Sequence, residues 1–360
     1  MLGLNGVILT SGCDDSPSTH GMADDQKNLY ARIVCKGWSV GNAKSNPFPD
    51  EARMSQTPSK SKNKVPSPEQ GLPRIGVLGL GIMGSAMSFN LMQAGHEVWG
   101  HDPSAKARKA LTSAGGLACT QPRKVMQSCA ILITSLPHVK ALDEVVEELL
   151  AHGQKASIVI ETSTLPITSK QQARQRLKAV GIEMLDCPLS GTGAQARNKD
   201  LTVYASGSTK AIRKVSAVFD SFARQHFDLG EFGNGMRMKL MANLLVAIHN
   251  VSTAEALLLG QRMGISIDRA VEVLSGGAGG SRMLSVRGPL MQKKGWEKAT
   301  MKVSIWQKDM QLIAQALSEA GVPSPLFAAT QPLYHAAMAL GHGDHDTASV
   351  FDVLDRMSRK

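Results

Sequence analysis

The chain has 360 residues, enough for two domains with sizeable cores, and its 42% hydrophobic content is that of a globular protein. The net charge of +10 lies almost wholly beyond residue 73, because residues 1–73 carry eight Lys/Arg against seven Asp/Glu. With aromatics at 4% and the charge spread along the chain, a single-strand nucleic-acid platform is excluded, and small anionic ligands are favoured.

Residues 1–72 are rich in Ser, Pro, Asn, Lys and Asp and have no sustained periodicity, so a disordered extension is predicted there. The opening MLGLNGVILTSGC lacks the basic start of a secretory signal, and Thr10 stands where a lipoprotein signal prefers a bulky aliphatic residue. Asp14, Asp15, Asp24 and Asp25 come too early for a mitochondrial targeting peptide, and Met54 offers an alternative translation start. Five cysteines without C-x-x-C or metal-ligand spacing fit neither a disulfide framework nor a metal centre, and a reducing cytoplasm is expected. No apolar run is expected to reach the ~20 residues of a membrane span.

The run RIGVLGLGIMGSAMSFNLMQAGHEVWGHD, Arg74 to Asp102, reads as strand, glycine turn, helix, strand and acid. Gly79, Gly81 and Gly84 form G-x-G-x-x-G where the helix opens. Gly79 permits the tight turn, Gly81 lets the backbone approach a pyrophosphate, and Gly84 allows close helix–strand packing. Ile82 and Met83 complete the helix N-terminus, whose free N–H groups and positive dipole end suit phosphates. Asp102, eighteen residues past Gly84, stands where a carboxylate accepts hydrogen bonds from an adenosine ribose and repels a 2′-phosphate. NAD is therefore the expected cofactor. NADP is the alternative, because Lys106 and Arg108 lie close enough to assist a phosphate.

Beyond Asp102 a helix is predicted over Ala105–Ala114, a strand at Ile131–Pro137, an amphipathic helix at Lys140–Ala151, a strand at Ser157–Thr162 and a helix at Ser169–Val180. IEMLDCP, LTVYASG and QHFDLG follow as shorter strands. This alternation predicts a Rossmann-type doubly wound parallel sheet with ligands at the carboxyl ends of its strands. After Gly235 the stretch MRMKLMANLLVAIHNVSTAEALLLGQRMG reads as one long, largely buried helix. Helices at Ile267–Leu274, Val303–Ala320, Leu326–Ala339 and Thr347–Met357 make the rest all-α. The expected domains are 1–72, 73–234 and 235–360. GHGDHD, with His342 and His345 flanking Asp344 and Asp346 in turn, reads as a polar turn and not a metal site.

Lys239 has Met236, Met238, Leu240 and Met241 as helix neighbours. In an apolar wall its pKa falls and it serves as an acid or base near neutral pH; alternatively it snorkels to solvent. Asn243, four residues on, shares its helix face and either binds substrate or satisfies a neighbouring helix. Ser190 and Gly191 follow Pro188 at a strand end, where a hydroxyl and backbone N–H groups suit a carboxylate or form an ordinary polar turn.

Four motifs in order, GLGIMG, DCPLSGTGAQA, GMRMKLMAN and WQKDMQL, are together similar to those of the β-hydroxyacid dehydrogenases, the family of 3-hydroxyisobutyrate dehydrogenase and tartronate semialdehyde reductase. The resemblance covers roughly residues 74–357. It implies a Rossmann domain and a helical domain with the active site between them, and a homodimer or homotetramer. It makes Lys239 the catalytic lysine and assigns Ser190, Gly191, Asn243 and Lys308 to a small carboxylate-bearing substrate. Thr192 replaces the family's second glycine and puts a Cβ and a hydroxyl at the substrate edge; Lys199 replaces another common glycine. Thr164 matches a position near the nicotinamide, and Leu136 and Pro137 match a loop beside the adenosine half. Lys308 matches the K-D lysine that reaches toward cofactor and substrate, whereas Asp309 reads as structural. The implied activity is hydride transfer between nicotinamide and a small hydroxy acid or its semialdehyde. Imine reductases share the architecture but commonly lack the lysine, and a non-catalytic cofactor-binding module would have no use for Lys239 and Asn243. A 6-phosphogluconate dehydrogenase needs a longer helical domain.

Overall fold

Short runs of aliphatic residues build the sheet, and the computed structural model describes residues 72–155 and 157–358. The expected extension therefore lies, Leu72 aside, outside the described residues. Six strands, β1 (Ile75–Leu78), β2 (Val98–His101), β3 (Leu117–Ala118), β4 (Ile131–Thr134), β5 (Ile158–Glu161) and β6 (Glu183–Asp186), pair in parallel in the order β3-β2-β1-β4-β5-β6. Every side chain of β1 and β5 is buried, as continuous apolar runs covered on both faces require. Strand order reverses between β1 and β4, so ligands are expected outside the carboxyl ends of those two strands.

The crossovers are α1 (Ile82–Gln93), α2 (Ala105–Ser113), α3 (Pro122–Ser128), α4 (Val139–His152) and α5 (Ile167–Ala179). Ser104 caps α2 by accepting from Ala107 N at 3.3 Å, and His138 caps α4 by accepting from Ala141 N at 3.1 Å. β3 and α3 are too short to establish a period in the sequence and are seen only in the structure.

The last strands depart from the parallel expectation. β7 (Leu189–Ser190), β8 (Thr202–Ala205) and β9 (Gln225–Asp228) form a second sheet in which β7 runs antiparallel to β8 and β9 parallel to it. The β7–β8 connection holds only the short α6 (Gly193–Arg197), too little chain for a parallel crossover. A bridge between Asp186 and Ser206 links the two sheets. Between β8 and β9, α7 (Thr209–Phe222) buries Ala211, Ile212, Val215, Val218, Phe219 and Phe222, a helical spacing that the sequence carried and the reading passed over.

The long helix α8 spans Asn234–Arg262, 29 residues. By length and composition it is apolar enough to cross a membrane, which corrects the expectation that no such stretch exists. It is also not largely buried. One side packs Ala247, Val251, Ala254 and Leu257 into the helical core, while Met241, Leu245, Leu259 and Met263 are more than half exposed. Apolar residues all round a helix look the same in sequence whether one face or both are covered.

Around it stand α9 (Ile267–Ser275), α10 (Arg282–Lys293), α11 (Val303–Ala320), α12 (Pro325–Ala339) and α13 (Val350–Met357), the last preceded by a 3₁₀ turn at Thr347–Ser349 where a continuous helix was expected. α10 is not among the expected helices, because its interior Pro289 obscures the pattern. In the GHGDHD turn His342 is buried between His345 and Asp352, and no cluster fit to hold a metal is found among the described residues.

Candidate active site

The glycine turn closes the carboxyl end of β1. Gly79 has φ +95°, and a Cβ there would overlap the Ser135 carbonyl. A Cβ at Gly84 would overlap the Gly79 carbonyl, so the first turn of α1 lies directly on the strand end. At Gly81 a Cβ would meet nothing and would project into open space. That opening lies at the N-terminus of α1, where no side chain caps the first turn. A pyrophosphate fits this cradle, with Ile82 and Met83 supplying backbone N–H groups. Asp102 ends the turn: its Oδ2 accepts from Leu80 N and its Oδ1 from Ser104 N, both at 2.8 Å. Arg108 donates to the carbonyls of Asp102 and Pro103 at 2.7 and 2.9 Å, which holds its guanidinium beside the end of β2.

From the glycine turn a cleft of about 360 Å³ runs between the strand ends and the helical region. Met83, Leu136, Pro137 and Thr164 line it from the Rossmann side, Leu189 and Gly191 from the second sheet, and Lys239 and Lys308 from α8 and α11. Leu136 and Pro137, expected beside the adenosine half, thus stand in the wall that also holds Lys239. Ser135, Thr162, Ser163, Met301, Ile305 and Asp309 complete the lining and were not foreseen. Of these only Asp309 carried a signal, the K-D pair itself; it lines the cleft with its carboxylate held by Asn243 and Lys308.

Lys239 is 8% exposed and donates from Nζ to the Leu189 carbonyl at 2.6 Å. Burial holds its pKa below the usual lysine range; Asp309 pulls it back up and Lys308 pushes it further down. Of the sequence neighbours expected to surround it, Met236 is buried and Met241 is 61% exposed, and none of the four lines the cleft. Leu189, Met301 and Ile305 supply apolar surface to the cleft that Lys239 lines. Lys308 donates to the Thr164 carbonyl and lies 3.2 Å from Asp309 Oδ1, bridging α11 to the loop after β5.

Asn243, expected at the substrate, makes a contact of the second kind considered for it, to a neighbouring helix. It is buried, and its amide donates to Asp309 Oδ2 at 3.0 Å, next to the residues that line the cleft. The substrate loop also divides. Gly191, at φ +135°, lines the cleft. Ser190 is half-buried at the end of β7, and among the described residues its hydroxyl has no protein partner. Thr192 is spent on α6: its side chain accepts from Gln195 N at 3.5 Å and its own N–H donates to Gln195 Oε1 at 3.0 Å, a capping box. The hydroxyl expected at the substrate edge thus also serves as the cap of α6.

Comparison with known proteins agrees with this layout. Residues 74–253 match the model of the NAD-binding domain of 6-phosphogluconate dehydrogenase, and residues 233–354 match the NAD-binding model of NADP-dependent 3-hydroxyisobutyrate dehydrogenase. The chain is 30% identical to glyoxylate/succinic semialdehyde reductase 2 of Arabidopsis thaliana, over 79% of this chain and 80% of that protein. It is 29% identical to L-threonate dehydrogenase of Cupriavidus necator, over 78% of this chain and 95% of the relative. Among solved structures, 3-hydroxyisobutyrate dehydrogenase of Mycobacterium tuberculosis with L-serine superposes with a TM-score of 0.71 at 26% identity, covering 79% of this chain and 99% of that one. The glycine cradle, the interlobe cleft with its buried lysine and these matches along residues 74–354 have one common reading: the chain belongs to the β-hydroxyacid dehydrogenase family of NAD(P)-dependent oxidoreductases.

Proposed function

We propose that the cleft oxidises a small hydroxy acid with NAD as the preferred acceptor, and in reverse reduces the matching aldehyde or ketone, with Lys239 as general acid–base. The observation that carries this reading is the Lys239 amine, buried in the cleft wall with a lowered pKa and a single carbonyl partner. Bound nicotinamide supplies the hydride acceptor. Lys239 takes the hydroxyl proton as the carbon loses hydride, and in reverse protonates the developing alkoxide. Gly191 in the cleft wall and the hydroxyl of the adjacent Ser190 offer donors to the substrate carboxylate, and Lys308 adds a positive charge to the cleft. Asn243 acts on the site through Asp309. Held between these groups, the carbinol carbon meets the nicotinamide without a bimolecular entropy cost.

The lobes we propose, 73–234 and 235–360, contribute one wall each. The carboxylate in the names of the relatives, threonate and succinic semialdehyde among them, supports a small carboxylate-bearing substrate. The exposed stripe of Met241, Leu245, Leu259 and Met263 supports a homodimer or homotetramer in place of a membrane-bound chain. Cys119, Cys129 and Cys187 are free and buried, which supports a cytoplasmic setting. An imine reductase of the same architecture is disfavoured by Lys239.

The test is a panel of hydroxy acids assayed by NADH and NADPH absorbance, with Lys239→Ala alongside. Turnover by the natural chain and a loss of ~10²-fold or more in the variant, with cofactor affinity retained, are expected. Near-normal turnover in Lys239→Ala removes the lysine from the chemistry.

A further inference from the structure

Three charged side chains with no exposed surface lie behind the cleft. Glu161 and Asp186 end β5 and β6 and are register partners, so their side chains leave the same face of the sheet next to one another. Lys170, on the crossover helix α5 between those strands, reaches both: its Nζ is 2.6 Å from Glu161 Oε2 and 2.7 Å from Asp186 Oδ1. Burial acts to lower the lysine's pKa, but the two carboxylates outweigh it and hold it above the usual lysine range. One cation thus faces two carboxylates at zero exposure.

Stability is a weak reason for such a cluster. Desolvating buried charges offsets most of their attraction, and apolar residues of similar volume hold a core as well. The cluster instead has directional reach. On one side Glu161 Oε1 accepts from Ser163 N at 2.9 Å, and Ser163 Oγ accepts from Leu136 N at 2.8 Å; both of these residues line the cleft. On the other side Asp186 Oδ2 accepts from Met236 N at 2.9 Å. The Ser206 hydroxyl donates to Asp186 and accepts from Gly235 N at 2.9 Å and Gly233 N at 3.2 Å. These N–H groups open α8, whose N-cap Gly233 offers no side chain. Lys239 follows Met236 by three residues, less than one helical turn. A Cβ at Gly235 would overlap the Tyr204 carbonyl, so the helix start lies directly against β8.

We propose that the Lys170–Glu161–Asp186 cluster is a positioning element for the reaction, fixing the Lys239 amine against the Ser163–Leu136 wall. This rests on the reading of Lys239 as the acid–base. None of the three touches the cleft. They act through Met236 N, Ser206 and Ser163.

The test compares Asp186→Asn and Lys170→Met with two milder cuts, Ser206→Ala and Ser163→Ala. The mild pair removes one hydroxyl from each arm and leaves the buried charges in place, so it remains informative should the charge variants fail to fold. The readouts are single-turnover hydride transfer, cofactor Kd, Tm, and the pH at which the Lys239 limb of kcat falls. Ser206→Ala is expected to lose at least about tenfold in hydride transfer with cofactor Kd nearly unchanged, and to shift that limb, because displacing a reacting group by an ångström has effects of this size. A smaller loss, or a limb that stays at the wild-type pH, overturns the proposal. Lys239→Ala in the same series separates the two ideas, since normal turnover there defeats the acid–base reading itself.

Discussion

Asn243 Nδ2 donates to Asp309 Oδ2 at 3.0 Å, joining α8 to α11 between two buried side chains. The bond holds the Asp309 carboxylate where its charge opposes the effect of burial on Lys239, while Lys308 acts in the other direction. The K-D pair is therefore an electrostatic pair with opposite effects on one amine.

That opposition gives a sign test. Asp309→Asn removes the charge that raises the Lys239 pKa, so the limb on which oxidation rises with pH is expected to move to lower pH. Lys308→Met removes the charge that lowers it, and the limb is expected to move to higher pH. Profiles of kcat/KM for both variants check this. Shifts in the same direction would show that another group governs the limb.

Asp102 is expected to set cofactor choice. Its carboxylate repels a 2′-phosphate, and Arg108 is already committed to the carbonyls of Asp102 and Pro103. NAD should be preferred, and Asp102→Ala should narrow the preference. The same substitution removes the acceptor for Leu80 N, so affinity for both cofactors should fall somewhat. An unmodified protein with higher kcat/KM on NADP contradicts the assignment.

Lys199 sits at φ +57°, just past the end of α6, where a glycine carries no Cβ penalty. This is the position where the family commonly has glycine. Lys199→Gly is expected to stabilise the protein by about 1 kcal/mol by relieving left-handed strain, with activity unchanged. Urea denaturation midpoints check it, and a lower midpoint would show that the lysine is held by favourable contacts.

Every residue assigned to the cleft lies between Gly79 and Asp309. A chain lacking residues 1–70 is therefore expected to keep its fold and its activity. The sequence of that segment has too little periodic apolar surface to offset an ordering cost of about 1–2 kcal/mol per residue. A soluble, folded but inactive truncation would show that the segment completes the site.

The sequence alone determined the strand, glycine turn, helix, strand and acid at the cofactor end, because glycine spacing, strand period and a terminal acid are local properties that one stretch of chain contains in full. Gly79, Gly81, Gly84 and Asp102 were legible for that reason, as was Lys239 by resemblance. The tertiary structure decided what depends on residues distant in sequence. It paired Asn243 with Asp309, gave Thr192 the cap of α6, brought Asp309 into the wall and left Met241, Leu245 and Leu259 of α8 exposed. It also brought Lys170, Glu161 and Asp186 together, three polar residues that in the sequence look like ordinary strand ends and a helix surface. Hydrogen-bond partners 66 residues apart, and the choice of which helix face is covered, follow from packing, on which a local pattern carries no information.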